Sequence, residues 1–510
     1  MSQNREGDRD RLERHLESEL RKRGMTRREL MKGGAGLAGA VGLGWLFAAC
    51  GGGGGETTAA GTTEPPAGTT AAGTTEAPPT TEEAPPAEAF TGTLKVTGLG
   101  VDLIDPVKAA GEAALGFPLA FDVTDSVTMV QKAITQPDAF DVFSGYTYQF
   151  NQIWPSGNMY PLEIAQIPLW GEMSSLIKQG KVDPASSTCV YGDGDAPFRS
   201  LYVDVDGTGQ WPSSSETPVE LEGVLVSWVD EETGQTVGDE PAYTIGTAHN
   251  FNMDAMGYNT DVIQMEPEEV DWTELLNASW KGRVAILNDP GIGMQDVGVA
   301  AVTLGLMERP ASFGNLTKDE IDTLVKILLD YKKKGQFKAF WTTFNDSVNF
   351  MASGEVVIES MWSPAVALLV AQGQPIRYAA PPSGFRGWAA TMGISSKAAE
   401  DPAKLQACYD YINWWFSGEP GAIMMRQGYY NGVQETSREF VEPEEWDFWI
   451  EGQPAAKDLP GITGNVGDIK AGQVRDGGSF TDRACNYATW NSYFDENEYQ
   501  VQRWNEFLNA

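Results

Sequence analysis

From Phe90 onward the apolar and polar positions follow two alternating rhythms. Gly92–Thr97 alternates with a period of two, the pattern of a strand with one covered face. Leu119–Val123 and Phe140–Ser144 read as two further short strands, and between them Asp125 stands as an N-cap before a helix carried by Val127, Val130 and Ile134. Strand, helix and strand at this spacing predict βαβ units and a largely parallel sheet. The clearest helix opens at Thr317, where Thr317 and Glu320 form a capping-box pattern. Ile321, Leu324, Val325, Leu328 and Leu329 recur on one face, and Lys332–Lys334 followed by Gly335 supply the chemistry of a helix end. Asp401-Pro402 opens a second helix, with Leu405, Tyr409, Ile412 and Phe416 as its stripe, and Ser363-Pro364 opens a third that runs to Gly373. Glu355–Met361 is the strand pattern between them.

The first ninety residues follow neither rhythm. Arg27-Arg28 precedes an uncharged Gly/Ala-rich stretch from Gly33 to Ala49, which is shorter and less apolar than the roughly 20 residues of a membrane-spanning helix. The layout is that of a signal peptide and resembles the twin-arginine export signal. Leu46-Phe47-Ala48-Ala49-Cys50 resembles a bacterial lipoprotein box, which implies acylation of Cys50 and a lipid anchor in the membrane. Five glycines follow Cys50, so no helix continues through it. Gly51 to Ala89 is Gly, Thr, Ala, Pro and Glu, too poor in apolar residues to offset its conformational entropy, and reads as a disordered tether. A second break, about 189–241, is rich in Gly, Asp, Ser and Pro around the strand pattern Leu221–Val229, and reads as an inserted β-hairpin region.

Charge and composition remove several classes of function. The chain has 36 Lys+Arg against 71 Asp+Glu, a formal charge of −35, which argues against nucleic acid as a partner. Residues 1–32 are basic on balance, so the body is more acidic than the total implies and is expected to stay hydrated in high salt. Only His15 and His249 are present, and the four cysteines (50, 189, 408 and 485) are far apart, so no zinc or redox motif is expected and no cofactor is implied. In an exporting context one pair of the body cysteines is expected to join, with Cys408 read as buried. There is no G-x-S-x-G elbow, H-E-x-x-H or P-loop.

Six short segments in order resemble the spermidine/putrescine-type solute-binding proteins of ABC importers. They are Phe140-Asp141-Val142-Phe143 with Tyr160-Pro161-Leu162 and Ile167-Pro168; Gly257-Tyr258-Asn259-Thr260-Asp261; Asp271-Trp272-Thr273-Glu274-Leu275; Trp280-Lys281-Gly282-Arg283-Val284; Gly354-Glu355-Val356 with Trp362; and Ala380-Pro381-Pro382-Ser383-Gly384 with Trp388. The resemblance implies an α/β, two-lobed type II periplasmic-binding-protein fold with crossing hinge strands. It divides the chain into a signal (1–50), a tether (51–90), lobe I (91–248), lobe II (249–380), and a return to lobe I with a helical tail (381–510). It implies a monomer that is not an enzyme, that holds a small cationic, polyamine-like solute between its lobes, and that docks on an ABC permease.

By position, Tyr148, Trp362, Trp388 and Tyr429 or Tyr430 match the family's aromatic wall, and Asp289 matches a carboxylate of the second lobe; Asp254 and Glu359 are neighbouring candidates. An indole or phenol face attracts a cation by roughly 0.5–2 kcal/mol. Two departures stand out. The first strand leads into Gly98–Asp105 with no aromatic, and Ala390 replaces the acid two residues after the closing Trp388. Asp102 or Asp105 is the candidate substitute. His249 reads as a structural imidazole. The alternatives are an exported hydrolase using paired carboxylates and a ligand-sensing lipoprotein.

Overall fold

The computed structural model describes residues 89–179, 190–191, 201–203, 240–491 and 495–510. Arg27, Arg28, Cys50, the tether, Cys189 and the strand pattern Leu221–Val229 lie outside the described residues.

The chain builds two α/β halves in turn. The first begins with strand β1 (Leu94–Gly98), helix α1 (Asp105–Leu115), β2 (Leu119–Val123), α2 (Ser126–Thr135), β3 (Val142–Tyr146) and α3 (Thr147–Ile153). β1 pairs in parallel with both β2 and β3, as the βαβ rhythm predicts. Asp125 caps α2 by accepting from the Val127 and Thr128 amides. A long strand, β4 (Thr247–Asn259), then leads to β5 (Val284–Leu287), α4 (Pro290–Thr303), α5 (Lys318–Lys333), β6 (Phe337–Trp341), α6 (Phe344–Ala352), β7 (Ile358–Met361), α7 (Ser363–Ala371) and β8 (Ile376–Tyr378). β5 pairs in parallel with β6 and β7. The return runs through a second long strand, β9 (Phe385–Ser395), α8 (Pro402–Phe416), α9 (Glu419–Met425), β10 (Tyr430–Asn431), α10 (Pro443–Trp449), α11 (Phe480–Ala484), β11 (Asn486–Trp490) and α12 (Asn497–Asn509).

One continuous sheet joins the halves in the order β6-β5-β7-β4-β9-β3-β1-β2. The long strands make the join. β4 pairs antiparallel with β9 over its first part and with β7 over its last, while β9 pairs antiparallel with β3. The carboxyl ends of β1, β2 and β3 therefore open toward the carboxyl ends of β5, β6 and β7, the edges at which parallel sheets expose loops and helix N-termini to ligand. α12 packs on the second half. A Cβ on Gly293 of α4 would come 2.5 Å from the Trp504 ring, so only glycine admits this approach. The Lys332 ammonium closes the end of α12 by donating to the Phe507 and Leu508 carbonyls at 2.9 and 2.8 Å.

Helix signals were legible where side chains cap. Thr317 accepts from the Glu320 amide and Asp401 from the Ala403 and Lys404 amides. The strand expected over Glu355–Met361 begins only at Ile358, since Gly354 has φ 70° and ends the preceding helix in a turn. Cys408 is free and buried. Cys485 is disulfide-bonded, with its partner outside the described residues. Among the described residues no helix is long and apolar enough to cross a membrane, and no cluster of His, Cys, Asp and Glu is placed to hold a metal ion.

Candidate functional site

β4 reads Asn250-Phe251-Asn252-Met253-Asp254-Ala255, polar at even positions and apolar at odd ones. Successive side chains of a strand face opposite sides, so Asn250, Asn252 and Asp254 form one polar row. All three are fully buried. The register sets this row beside β9, with Asn250 opposite Ala390, Asn252 opposite Trp388 and Asp254 opposite Arg386. Ala390 in turn pairs with Tyr146 at the end of β3. The floor between the halves is thus built by two strands whose inward face is polar.

Aromatic rings stand over this floor. Tyr146 and Tyr148 stack at 5.7 Å with planes 9° apart, the Tyr146 ring meets Trp388 edge-on at 5.9 Å, and Trp388 meets Tyr429 edge-on at 4.9 Å. The indole N–H of Trp388 and the side-chain oxygens of Asn250 and Asn252 are buried without a hydrogen-bond partner among the described residues. Such groups are costly to leave unpaired and are what an arriving ligand satisfies.

Four carboxyls surround the rings. Asp102, from the loop after β1, accepts from the Asn250 amide at 3.1 Å, and burial raises its pKa to about 7. Asp254 is raised to about 6, mainly by burial and against the pull of Arg386. Asp296 of α4 accepts from Arg386 Nε at 2.7 Å and from the Ser360 hydroxyl, and burial raises its pKa too. Asp289 caps α4 by accepting from the Gly291 amide at 2.8 Å. It also accepts from two groups of the other half, Ser126 Oγ at 3.0 Å and the Tyr148 hydroxyl at 3.1 Å. Burial holds it above the usual carboxylate range despite these donors. Arg386 is the one cation paired with this group among the described residues, bonded to Asp254 at 3.4 Å and to Asp296. Asp102 and Asp289 have neutral partners only.

The structure brings Tyr148, Asp289, Trp388, Tyr429 and Asp254 of the sequence candidates to one place. Trp362 lies at the carboxyl end of β7, packed edge-on against Trp341 at 4.9 Å, on the second half. Tyr430 points to the other side of its strand, against Phe251, Phe480 and the Arg475 guanidinium. Glu359 faces away from the acids. Its neighbour Ser360 bonds Asp296, so Glu359 turns to the opposite face, toward Ser347, where burial raises its pKa well above normal. Sequence reading passed over Tyr146, Asn250, Asn252, Asp296 and Arg386, although the period-two alternation of β4 already marked the asparagine row. His249, fully buried and edge-on to Trp415 at 4.5 Å, has its pKa lowered to about 3 by burial.

The sequence profile of the bacterial extracellular solute-binding proteins matches residues 107–447. No curated protein sequence matches the chain. Among solved structures, a chain from Listeria monocytogenes named for spermidine/putrescine ABC transport is similar at a TM-score of 0.51 and 14% identity, covering 82% of this chain and 98% of that one. The lipoprotein TpPotD of Treponema pallidum is similar at a TM-score of 0.51 and 11% identity, over the same shares. Both fit the two-lobed α/β architecture. The family binds solutes rather than transforming them, which displaces the hydrolase alternative. With more than half of its length matched, this chain belongs to the bacterial extracellular solute-binding proteins.

Proposed function

We propose that this protein captures a small organic cation with amine ends, of the polyamine class, between its lobes and delivers it to an ABC permease. One observation carries the reading: of four buried carboxyls, two share a single guanidinium, and the two without a cation among the described residues, Asp102 and Asp289, flank the ring group Tyr146, Tyr148, Trp388 and Tyr429. Burial raises the pKa of both acids and so disfavours their charged forms. An ammonium placed beside them favours the charged form and gains both Coulomb energy and hydrogen bonds. The rings offer faces to the methylene chain and to the cation. The missing acid at position 390 is also made good. Asn250 is the register partner of Ala390, and its amide holds Asp102.

Cys50 is the proposed lipidation site and Arg27-Arg28 the proposed export signal, with residues 51–90 as the tether that keeps the lobes clear of the membrane.

The test is calorimetric titration of the purified protein with diamines, triamines and matched neutral alcohols. Saturable binding of an amine is expected, with Asp102→Asn and Asp289→Asn each weakening it tenfold or more. Asparagine caps a helix as well as aspartate does, so the second variant removes charge and keeps α4. Binding of a neutral or anionic solute with no response to any amine would overturn the proposal.

A further inference from the structure

Outside the cleft, a cavity of about 110 Å³ lies between α7 and the segment 426–483. Three arginines line it. Arg426 is neutralised by Glu445 at 2.8 Å. Arg475 and Arg483 have no carboxylate partner among the described residues, although the chain holds nearly two acids for every base. Both are buried, at 8% and 2% exposure. Their partners are carbonyls and rings: Arg475 reaches the carbonyls of Trp449 and Gly428 and lies over the Tyr430 and Trp449 rings, and Arg483 reaches those of Asp476 and Met253 and lies over the Tyr378 and Phe385 rings, so neither charge meets an anion among the described residues. Arg483 Nε is left without an acceptor, as is the indole N–H of Trp449, another lining residue. Burial, with repulsion from Arg483, lowers the Arg475 pKa to about 10.

A guanidinium taken out of water without a counter-ion is strongly disfavoured unless an anion joins it. Two such groups and two orphan N–H donors around one cavity define a site for negative charge. The first turn of α7 adds to it. Ser363 and Val366 line the cavity, and this nine-residue helix has no side-chain cap at its N-terminus, the end that favours anions. Of the two lining carboxylates, Asp476 is neutralised by Arg377 at 2.8 Å. Asp468 sits on the half-buried part of a short strand (Val466–Ile469) and accepts from the Thr463 amide and hydroxyl at 2.9 and 2.8 Å. Much of the remaining lining is apolar, with Val366, Val370, Phe448 and Ile469 beside the polar Gln427 and Gln473. A phosphate or sulfate would leave that apolar surface uncovered. A carboxylate on a short hydrocarbon chain matches both parts, and the volume suits a molecule of a few heavy atoms.

We infer that this cavity binds a short-chain organic carboxylate, separately from the solute held in the cleft. The test uses wild-type protein without amine, titrated with butyrate and hexanoate and, as controls, butanol and phosphate, read by melting temperature. A saturable rise with the carboxylates and none with the controls is expected. Arg475→Met should weaken the carboxylate response tenfold or more while amine binding is retained. A measurement that needs no variant is the fluorine NMR signal of 4,4,4-trifluorobutyrate, which should broaden with wild-type protein and be restored by butyrate. No response to any carboxylate, or an equal response to butanol or phosphate, would overturn the inference, and neither outcome bears on amine binding in the cleft.

Discussion

Asp102 shows how one residue links the site to pH. Its folded pKa of about 7 lies above the unfolded value near 4, so between these limits the empty, folded protein holds a proton that the unfolded chain releases. Its contribution to stability is full below about pH 4 and is lost as pH rises through 7. Asp254, raised to about 6, acts in the same direction. His249 acts oppositely: with its pKa lowered to about 3, its contribution is full above about 6.5 and is lost as pH falls toward 3. The Asp102→Asn variant isolates the first term. The stability difference between wild type and variant should shrink steadily from pH 4 to pH 7.5, measured by urea unfolding. A cationic ligand needs the ionised acids, so amine affinity should rise over pH 5 to 7.5 with proton release on binding, detectable by calorimetry in buffers of different ionisation enthalpy. A difference that is flat with pH would show that Asp102 is ionised in the empty protein. His249 has no part in this response, because its imidazole stays neutral throughout that range.

At the scale of the element, two kinds of signal behaved differently. The helix from Lys318 to Lys333 is written locally: the Thr317 and Glu320 pair caps it, and Ile321, Leu324, Val325 and Leu328 bury its stripe. Thr317→Ala should therefore cost about 1 kcal/mol of stability, seen as a lower urea midpoint, with solute affinity unchanged because the cap lies on an exposed turn away from the cleft. The long strand β4 carries a second message. Its alternation looks like a half-exposed strand, yet nearly every residue from Thr247 to Tyr258 is buried. The polar side is covered by the opposite half of the molecule rather than by water, so Asn250, Asn252 and Asp254 face a cleft where a surface was the simpler reading. Asp289 combines both messages, since one carboxyl caps α4 and also receives hydrogen bonds across the cleft.

At the scale of the whole molecule, those cross-cleft bonds matter most. Ser126 and Tyr148 of the first half donate to Asp289 of the second, so hydrogen bonds join the halves across the cleft. Closure can be biased by ligand only through contacts that differ between open and closed forms. A Tyr148→Phe, Ser126→Ala double variant removes the donors that reach Asp289 across the cleft. Its ligand-free form should show a larger radius of gyration in solution scattering, with added amine restoring the compact form. An unchanged radius in the double variant would mean that these bonds do not hold the halves together. The acidity of the chain belongs to this scale as well: with 71 acids against 36 bases, salt screens self-repulsion, and melting temperature should rise with added salt.

The sequence by itself determined what depends on neighbours along the chain. The βαβ rhythm, the caps at Asp125, Thr317 and Asp401, and the αβ class are local facts, since hydrogen bonds three residues apart and periods of two and 3.6 act within one segment. Ordered motifs also led to Tyr148, Trp388, Tyr429 and Asp289. Only the tertiary structure decided which of these share a cleft. Strand register placed Ala390 beside Asn250 and so brought Asp102 to the floor, turned Tyr430 and Glu359 to the far side, and set Arg386 between Asp254 and Asp296. These pairings join residues a hundred or more positions apart, and the sequence holds no local record of them. The same is true of Arg475 and Arg483, whose want of an acid partner among the described residues is visible only once the chain has folded around them.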